Sequence, residues 1–185
     1  MKSIVLALFL VSAVSCGWAD HLPFCLFPNT FPVTMQTSPA QVDLEQYQGT
    51  WYEVFRKPAW FEKDCICAQA HYTLNPAGFV EVVNTCTRAD MTIKGRPNYA
   101  PAYPRNAPQN TRLEVYFNPM IGGSYWILDI DPAYQWVVVG DPCKSYGWLL
   151  ARSKTVDSAL LADKIALLKA KGYDVSDLIF RDKQC

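Results

Sequence analysis

Residues 65–88 read CICAQAHYTLNPAGFVEVVNTCTR, and their alternation decides the fold class. Ile66, Ala68, Ala70, Tyr72 and Leu74 take one parity; Cys65, Cys67, Gln69, His71 and Thr73 take the other. A strand with one buried face has this pattern, because successive side chains point to opposite sides. Asn75-Pro76-Ala77-Gly78 supplies a turn, and Phe79 to Arg88 continues as a second β-rich run. The segment reads as a β-hairpin whose simplest register sets Leu74 opposite Phe79 and Cys67 opposite Cys86. His71 falls on the outer face, where it is a surface residue rather than a ligand or a base.

Similar runs recur on both sides: Trp51 to Lys57, Met91 to Gly95, Thr111 to Phe117, Tyr125 to Ile130, Tyr134 to Val139 and Tyr146 to Arg152. With the hairpin they make eight antiparallel strands on mostly short connections, which is the pattern of a sandwich or of a closed up-and-down barrel. Arg96 to Asn110 carries Pro97, Pro101, Pro104 and Pro108, with Tyr99 and Tyr103 among them. Polyproline recognition motifs have such spacing, but between two strands of one domain the stretch reads as a stiff surface loop. Thr155 or Asp157 then caps a helix that carries Leu160, Leu161, Ile165 and Leu168 on one face and stops at Gly172. Asp163 beside Lys164 on its polar face argues for packing on the barrel wall rather than for a membrane surface. A short strand, Ser176 to Phe180, ends the fold.

Half of the 185 residues are hydrophobic and 18% are charged, so one ordinary globular domain is expected and a second large one is not. Basic and acidic side chains number 17 each, which supplies no general pull toward nucleic acid. Lys2, the apolar run Ile4 to Val14 and small residues up to Ala19 read as a secretory leader over residues 1–19, too short to cross a bilayer. In the alternative reading, Cys16 ends a lipobox and becomes a lipidated, anchored N-terminus. Residues 20–43 then form an extended arm and 44–185 the domain, with the barrel over about 49–153, the helix over about 157–171 and the last strand over 176–180. Cleavage after Ala19 leaves Cys25, Cys65, Cys67, Cys86, Cys143 and Cys185, an even number in an exported chain, which points to three disulfides. Cys65, Cys67, His71 and Cys86 as metal ligands lack the second paired knuckle of a zinc site. The sequence has no G-x-S-x-G, P-loop, G-x-G-x-x-G or H-E-x-x-H; no metal, cofactor or catalytic set is expected.

Gly49-Thr50-Trp51-Tyr52-Glu53-Val54 resembles the Gly-x-Trp first-strand motif of the lipocalins. Asp131-Pro132-Ala133-Tyr134 with Val137-Val138-Val139 resembles their second motif, and Trp148-Leu149-Leu150-Ala151-Arg152 their third. The resemblance covers roughly residues 43–180; within the family, residues 125–153 and 172–176 are most similar to apolipoprotein D and the bacterial outer-membrane lipocalins. It implies an all-β, eight-stranded calyx with one helix on its wall, in which Trp51 closes the base and Arg152 lies across it in a cation–π contact.

With Arg152 inward, alternation puts Leu150 and Trp148 on the interior face, progressively nearer the mouth. Tyr72, Leu74, Leu113, Val115, Phe117 and Tyr125 share that parity, and Glu53 and Phe55 face in if Trp51 does. The apolipoprotein D resemblance independently implies Tyr72, Phe117, Tyr125, Trp148 and Leu150 as pocket positions. The expected ligand-binding set is therefore Trp148, Tyr72, Tyr125, Phe117, Leu150, Val115, Leu74 and Phe55, with Trp148, Tyr72 and Tyr125 nearer the mouth. Near Trp51 and Arg152, plain core filling is the better reading. Trp126 faces outward beside Leu128 and Ile130, an edge suited to a dimer or to membrane or lipid-particle contact unless the helix covers it.

The resemblance also implies disulfides Cys25–Cys143 and Cys67–Cys185, leaving Cys65–Cys86. The hairpin register prefers Cys67 opposite Cys86, so the pairing among Cys65, Cys67, Cys86 and Cys185 stays open. The function implied is a secreted carrier, monomer or homodimer, of one small hydrophobic ligand. Fatty acids and lysophospholipids come first; a bilin, retinoid or steroid is the alternative. Arg56 or Arg96 is the candidate for an acidic head group. The rivals are an enzyme using a thiol of Cys65 or Cys67 or the Glu53 carboxyl, and a protein-binding module using Tyr99 and Tyr103 or Trp126.

Overall fold

The computed structural model describes residues 37–93, 98–182 and 185, and in them eight antiparallel strands close into a barrel. These are β1 (Gly49–Arg56), β2 (Cys67–Leu74), β3 (Val80–Thr87), β4 (Asn98–Pro104), β5 (Arg112–Asn118), β6 (Ile121–Ile130), β7 (Trp136–Gly140) and β8 (Gly147–Ala151). Each pairs with the next, and β1 pairs with both β2 and β8, so the wall is continuous. The leader, Cys16 and Cys25 lie outside the described residues.

The alternation in β2 appears as burial: Ala68, Ala70 and Tyr72 are buried while Gln69, His71 and Thr73 are exposed. The register differs from the expected one by a single residue, with Leu74 opposite Val80, Ala68 opposite Cys86 and Cys67 opposite Thr87. The cause is the turn. Asn75 N–H donates to the Phe79 carbonyl at 2.8 Å, which leaves a three-residue loop, Pro76 to Gly78, closed by Gly78 at φ +86°. A left-handed third residue is what such a loop needs, and glycine adopts it without a Cβ clash.

The fourth strand is Asn98–Pro104, not Met91–Gly95, and so lies inside the stretch read as a proline loop. Its inward positions, Ala100 and Ala102, are 5% and 2% exposed, while Tyr99 and Tyr103 point out. Prolines obscure this pattern because their fixed φ suits an extended chain even as they remove ladder donors. Among the described residues of the stretch expected as a strand, Ile93 keeps a single bridge, to Thr87. The seventh strand starts at Trp136 rather than Tyr134, since Tyr134 sits in a turn at φ +56°.

Three register shifts break strict alternation, one between Glu53 and Phe55, one between Ile127 and Asp129 and one, at the end of β5, between Tyr116 and Asn118. The first turns Phe55 outward; the second turns Ile130 toward the interior core, away from Trp126 and Leu128. Beyond Tyr52, β1 parts from β2 and pairs instead with β9 (Ile179–Phe180), which is shorter than the 176–180 strand expected. Arg181 N–H donates to the Val54 carbonyl at 2.9 Å and Asp182 N–H to that of Ile66 at 3.2 Å. The C-terminal tail thus wedges between two wall strands.

Helix α2 (Ser158–Ala170) is capped by Asp157, whose Oδ1 accepts from Leu160 N–H at 2.8 Å. It ends with Tyr173 N–H donating to Leu168 and Gly172 N–H to Lys169, a Schellman closure. Leu168, Leu161 and Ile165 pack on Phe55, Trp126, Leu128, Val138 and Leu149, a second core between helix and wall. Trp126 and Leu128 are 6% and 0% exposed, so the outer edge offered to a dimer or a membrane does not exist; the helix covers it. Lys164, assigned to the polar face, is buried too: its Nζ lies 3.8 Å from the Trp136 ring centroid and 3.0 Å from Asp129 Oδ2. A lysine serves there because its stem packs while its ammonium meets a ring face and a carboxylate.

Beyond the helix, the Tyr173 hydroxyl donates to the Asp141 carbonyl at 2.8 Å. A Cβ on Gly140 would overlap that hydroxyl and touch Leu128. Gly140→Ala is expected to lower stability by about 1–3 kcal/mol through overpacking, read from the midpoint of urea unfolding.

Candidate functional site

The barrel is closed at the end where β1 begins. Helix α1 (Leu44–Tyr47), capped by Asp43, brings Tyr47 against Trp51, whose Nε1–H donates to the Tyr47 carbonyl at 2.9 Å. Arg152 covers Trp51 from the outside, with its guanidinium carbon 3.8 Å from the ring centroid. Its N–H groups reach the carbonyls of Tyr134, Thr50, Gln46 and Gln48 at 3.3, 3.0, 2.9 and 2.7 Å.

Three phenols make the inner floor. Tyr47 stacks on Tyr72 with centroids 5.3 Å apart, and the Tyr125 hydroxyl shares hydrogen bonds with those of Tyr47 and Tyr72 at 2.6 and 3.0 Å. Burial pushes all three phenols up, Tyr72 to about 12, so the trio stays protonated. Tyr72 and Tyr125 were expected nearer the mouth. The register places them near the base: Tyr72 is opposite Gly49, and Tyr125 is opposite Leu113 at the start of β5.

Above this floor is a cavity of about 690 Å³. Ala68, Ala70, Ala102, Val80 and Val82 form one wall, and Leu113, Val115, Val139 and Leu150 face them. Phe117 and Trp148 line its upper part. Two residues of the expected set are elsewhere. Phe55 is fully buried under α2 because of the shift in β1; Leu74 lies past the floor, in an outer groove with Val42, Leu44 and Tyr103.

The mouth is built by a connection that alternation does not describe. Between β1 and β2 a 3-10 turn, Trp60–Glu62, sets Phe61 5.5 Å from Tyr146 and 6.5 Å from Trp148, and Tyr146 stacks on Trp148 at 6.0 Å. Trp148 Nε1–H donates to Glu62 Oε2 at 3.2 Å. The register shift also turns Arg56 inward, but its guanidinium is committed: to Glu53 Oε1 at 2.8 Å, to Glu62 Oε2 at 3.2 Å and to the carbonyls of Glu62 and Cys65. Arg56 does not line the cavity, contrary to its suggested role as an anion receptor; Arg96 lies outside the described residues.

Glu53 is 3% exposed and faces the cavity. Burial, reinforced by the Glu62 charge and opposed by Arg56, pushes its carboxyl from an ordinary 4.5 to about 8. Oε1 accepts from Arg56 in either protonation state. A raised carboxyl pKa stabilises the fold fully below the unfolded value and ceases to do so as pH rises through the folded one. Stability is therefore expected to fall between about pH 4.5 and pH 8, and Glu53→Gln to flatten that slope. Urea midpoints of both proteins across this window provide the check; equal slopes refute it.

Cys65 pairs with Cys86 and Cys67 with Cys185, the pairing the one-residue register difference permits. Cys143 is disulfide-bonded as well. The thiols considered for catalysis and for a metal are thus consumed. His71 is exposed and meets Thr50 Oγ1 at 3.0 Å. Sequence reasoning missed Tyr47, Trp60, Phe61, Glu62 and Tyr146. The only signal was the density of aromatic residues just before and after predicted strands.

A Lipocalin-like domain model matches residues 42–183. Temperature-induced lipocalin-1 of Arabidopsis thaliana is 31% identical over 144 residues, covering 74% of this chain and 77% of that protein. Outer membrane lipoprotein Blc of Escherichia coli (strain K12) is 31% identical over 139 residues, 75% and 77% of the two chains. Apolipoprotein D of Macaca fascicularis is 30% identical over 191 residues, 97% and 96% of the two chains.

Proposed function

The chain belongs to the lipocalin family, and from that membership we propose that it is an exported carrier holding one small hydrophobic molecule in its calyx. The observation that carries this reading is the cavity of about 690 Å³, walled by Ala, Val and Leu and shut at one end by Trp51 and Arg152. A core that packed to native density would leave no such space. Small wall residues at Ala68, Ala70 and Ala102 keep it open, and a single acyl chain, as in a fatty acid or a lysophospholipid, has the slender shape that suits it. Burying about 300 Å² of apolar ligand surface at ~25 cal/mol/Å² contributes roughly 7 kcal/mol before ordering costs, enough for micromolar affinity or better. Trp148 and Phe117 are proposed as contacts near the mouth, Leu150 and Val115 along the wall, and Tyr72 and Tyr125 at the end of the tail.

Native mass spectrometry of protein from its own source is expected to show one bound mass of a few hundred daltons that is lost on denaturation. Titration with single-chain lipids is expected to quench the fluorescence of Trp60 and Trp148. An empty protein that no lipid quenches would end the carrier reading.

A further inference from the structure

The charged residues lining the cavity are Glu53, Glu62 and Asp141; no lysine or arginine among the described residues lines it. Arg56 is shared by two carboxyls and directs its donors to those groups and to two carbonyls. The other guanidinium near Glu53, that of Arg181 on the C-terminal tail, donates to the carbonyls of Ala68 and Cys185. Glu53 Oε1 takes the Arg56 hydrogen bond, on a side chain only 4% exposed. Beside these carboxyls stand four rings, those of Trp60, Phe61, Tyr146 and Trp148, with neighbouring centroids 5.5 to 6.5 Å apart. Ring faces and carboxylates together attract a poorly hydrated cation and repel an anion.

We propose that the molecule carried bears an ammonium group on an apolar tail, with the cation held at the mouth among Trp60, Phe61, Tyr146 and Trp148 and against Glu62 and Glu53. This rests on the carrier reading and narrows it. A fatty-acid anion seated the same way meets carboxylates and no receiving cation. The ammonium can belong to a lipid head group or to a free long-chain amine, since both offer the cage the same chemistry.

Three probes of equal chain length, dodecyltrimethylammonium, dodecanol and dodecanoate, each below its micellar concentration, separate the possibilities when followed by tryptophan quenching. The ammonium probe is expected to bind at least about tenfold more tightly than dodecanoate. Its affinity is expected to rise as pH passes through 8, because its charge is fixed while Glu53 ionises under the opposing influences of Arg56, Arg181 and Glu62. Glu53→Gln and, at the more exposed rim, Glu62→Gln are each expected to shrink that preference and to lower the ratio of ammonium to dodecanol affinity. Lysophosphatidylcholine binding above lysophosphatidic acid identifies a lipid head group as the source; binding of the alkylammonium without lysophosphatidylcholine identifies a free amine. Dodecanoate binding as tightly as the ammonium probe, or a preference that survives both substitutions, overturns the proposal and leaves the carrier standing. Failure of all three probes, dodecanol included, overturns both.

Discussion

Arg152→Ala is expected to cost about 3–5 kcal/mol, a large share of the 5–15 kcal/mol that holds a domain of this size. Several losses coincide. The guanidinium stacks 3.8 Å above Trp51, an interaction worth about 0.5–2 kcal/mol. It also satisfies four backbone carbonyls, those of Gln46, Gln48, Thr50 and Tyr134, drawn from α1, β1 and the turn before β7. Truncation leaves these acceptors to water on one side and to apolar surface on the other, at roughly 1 kcal/mol or more apiece where burial persists. Gly49 marks how close the fit is: it sits at φ +95°, and a Cβ there would lie 3.2 Å from Arg152 Nη1. Arg152→Lys keeps the charge but not the planar fork, so it is expected to recover less than half of the loss. Urea unfolding with an unchanged slope reads both numbers. A loss below about 1 kcal/mol for the alanine variant would mean that Trp51 and Tyr47 close the base by packing alone.

The barrel was legible because most of its strands obey a period of two, and Ala68, Ala70 and Tyr72 against Gln69, His71 and Thr73 are the plainest case. What alternation cannot carry is a change of parity within a strand. Phe55 was assigned to the cavity because Trp51 faces in, and one bulge at Val54 sends it under the helix while turning Arg56 inward. Ile130 was grouped with Trp126 for the same reason, and the shift past Ile127 separates them. The fourth strand was hidden by prolines, whose loop-like composition outweighed the inward pair Ala100 and Ala102. Depth in the barrel was also invisible: parity says that Tyr72 and Tyr125 face inward, but only the register says that they end up on the floor. The mouth was least legible, since Trp60, Phe61 and Glu62 lie on a connection whose path depends on Arg56 and on the disulfides of Cys65 and Cys67. The chemistry of the head-group end is therefore written by residues that no periodicity governs.

Ala102→Trp is expected to reduce ligand affinity about a hundredfold or more while changing stability by less than about 2 kcal/mol. The asymmetry follows from where the residue stands. Ala102 is 2% exposed, lies between Val80 and Val115 in register, and faces the cavity. An indole there extends into open volume instead of into packed atoms, so the overpacking that a filled core would suffer, about 1–3 kcal/mol, is largely avoided. The ligand, in contrast, loses the space for its tail, and each methylene kept out forfeits about 0.8 kcal/mol. Leu149→Trp, at a fully buried site in the helix-side core, is expected to reverse the pattern, with a large stability loss and no direct effect on the cavity. Tyr99→Ala, on an outer face 71% exposed, is expected to change neither quantity. Titration of a single-chain lipid into the three variants, paired with urea unfolding, distinguishes an interior carrier from a surface module. Unchanged binding in Ala102→Trp together with loss in Tyr99→Ala would move the function from the inside of the barrel to its outer wall.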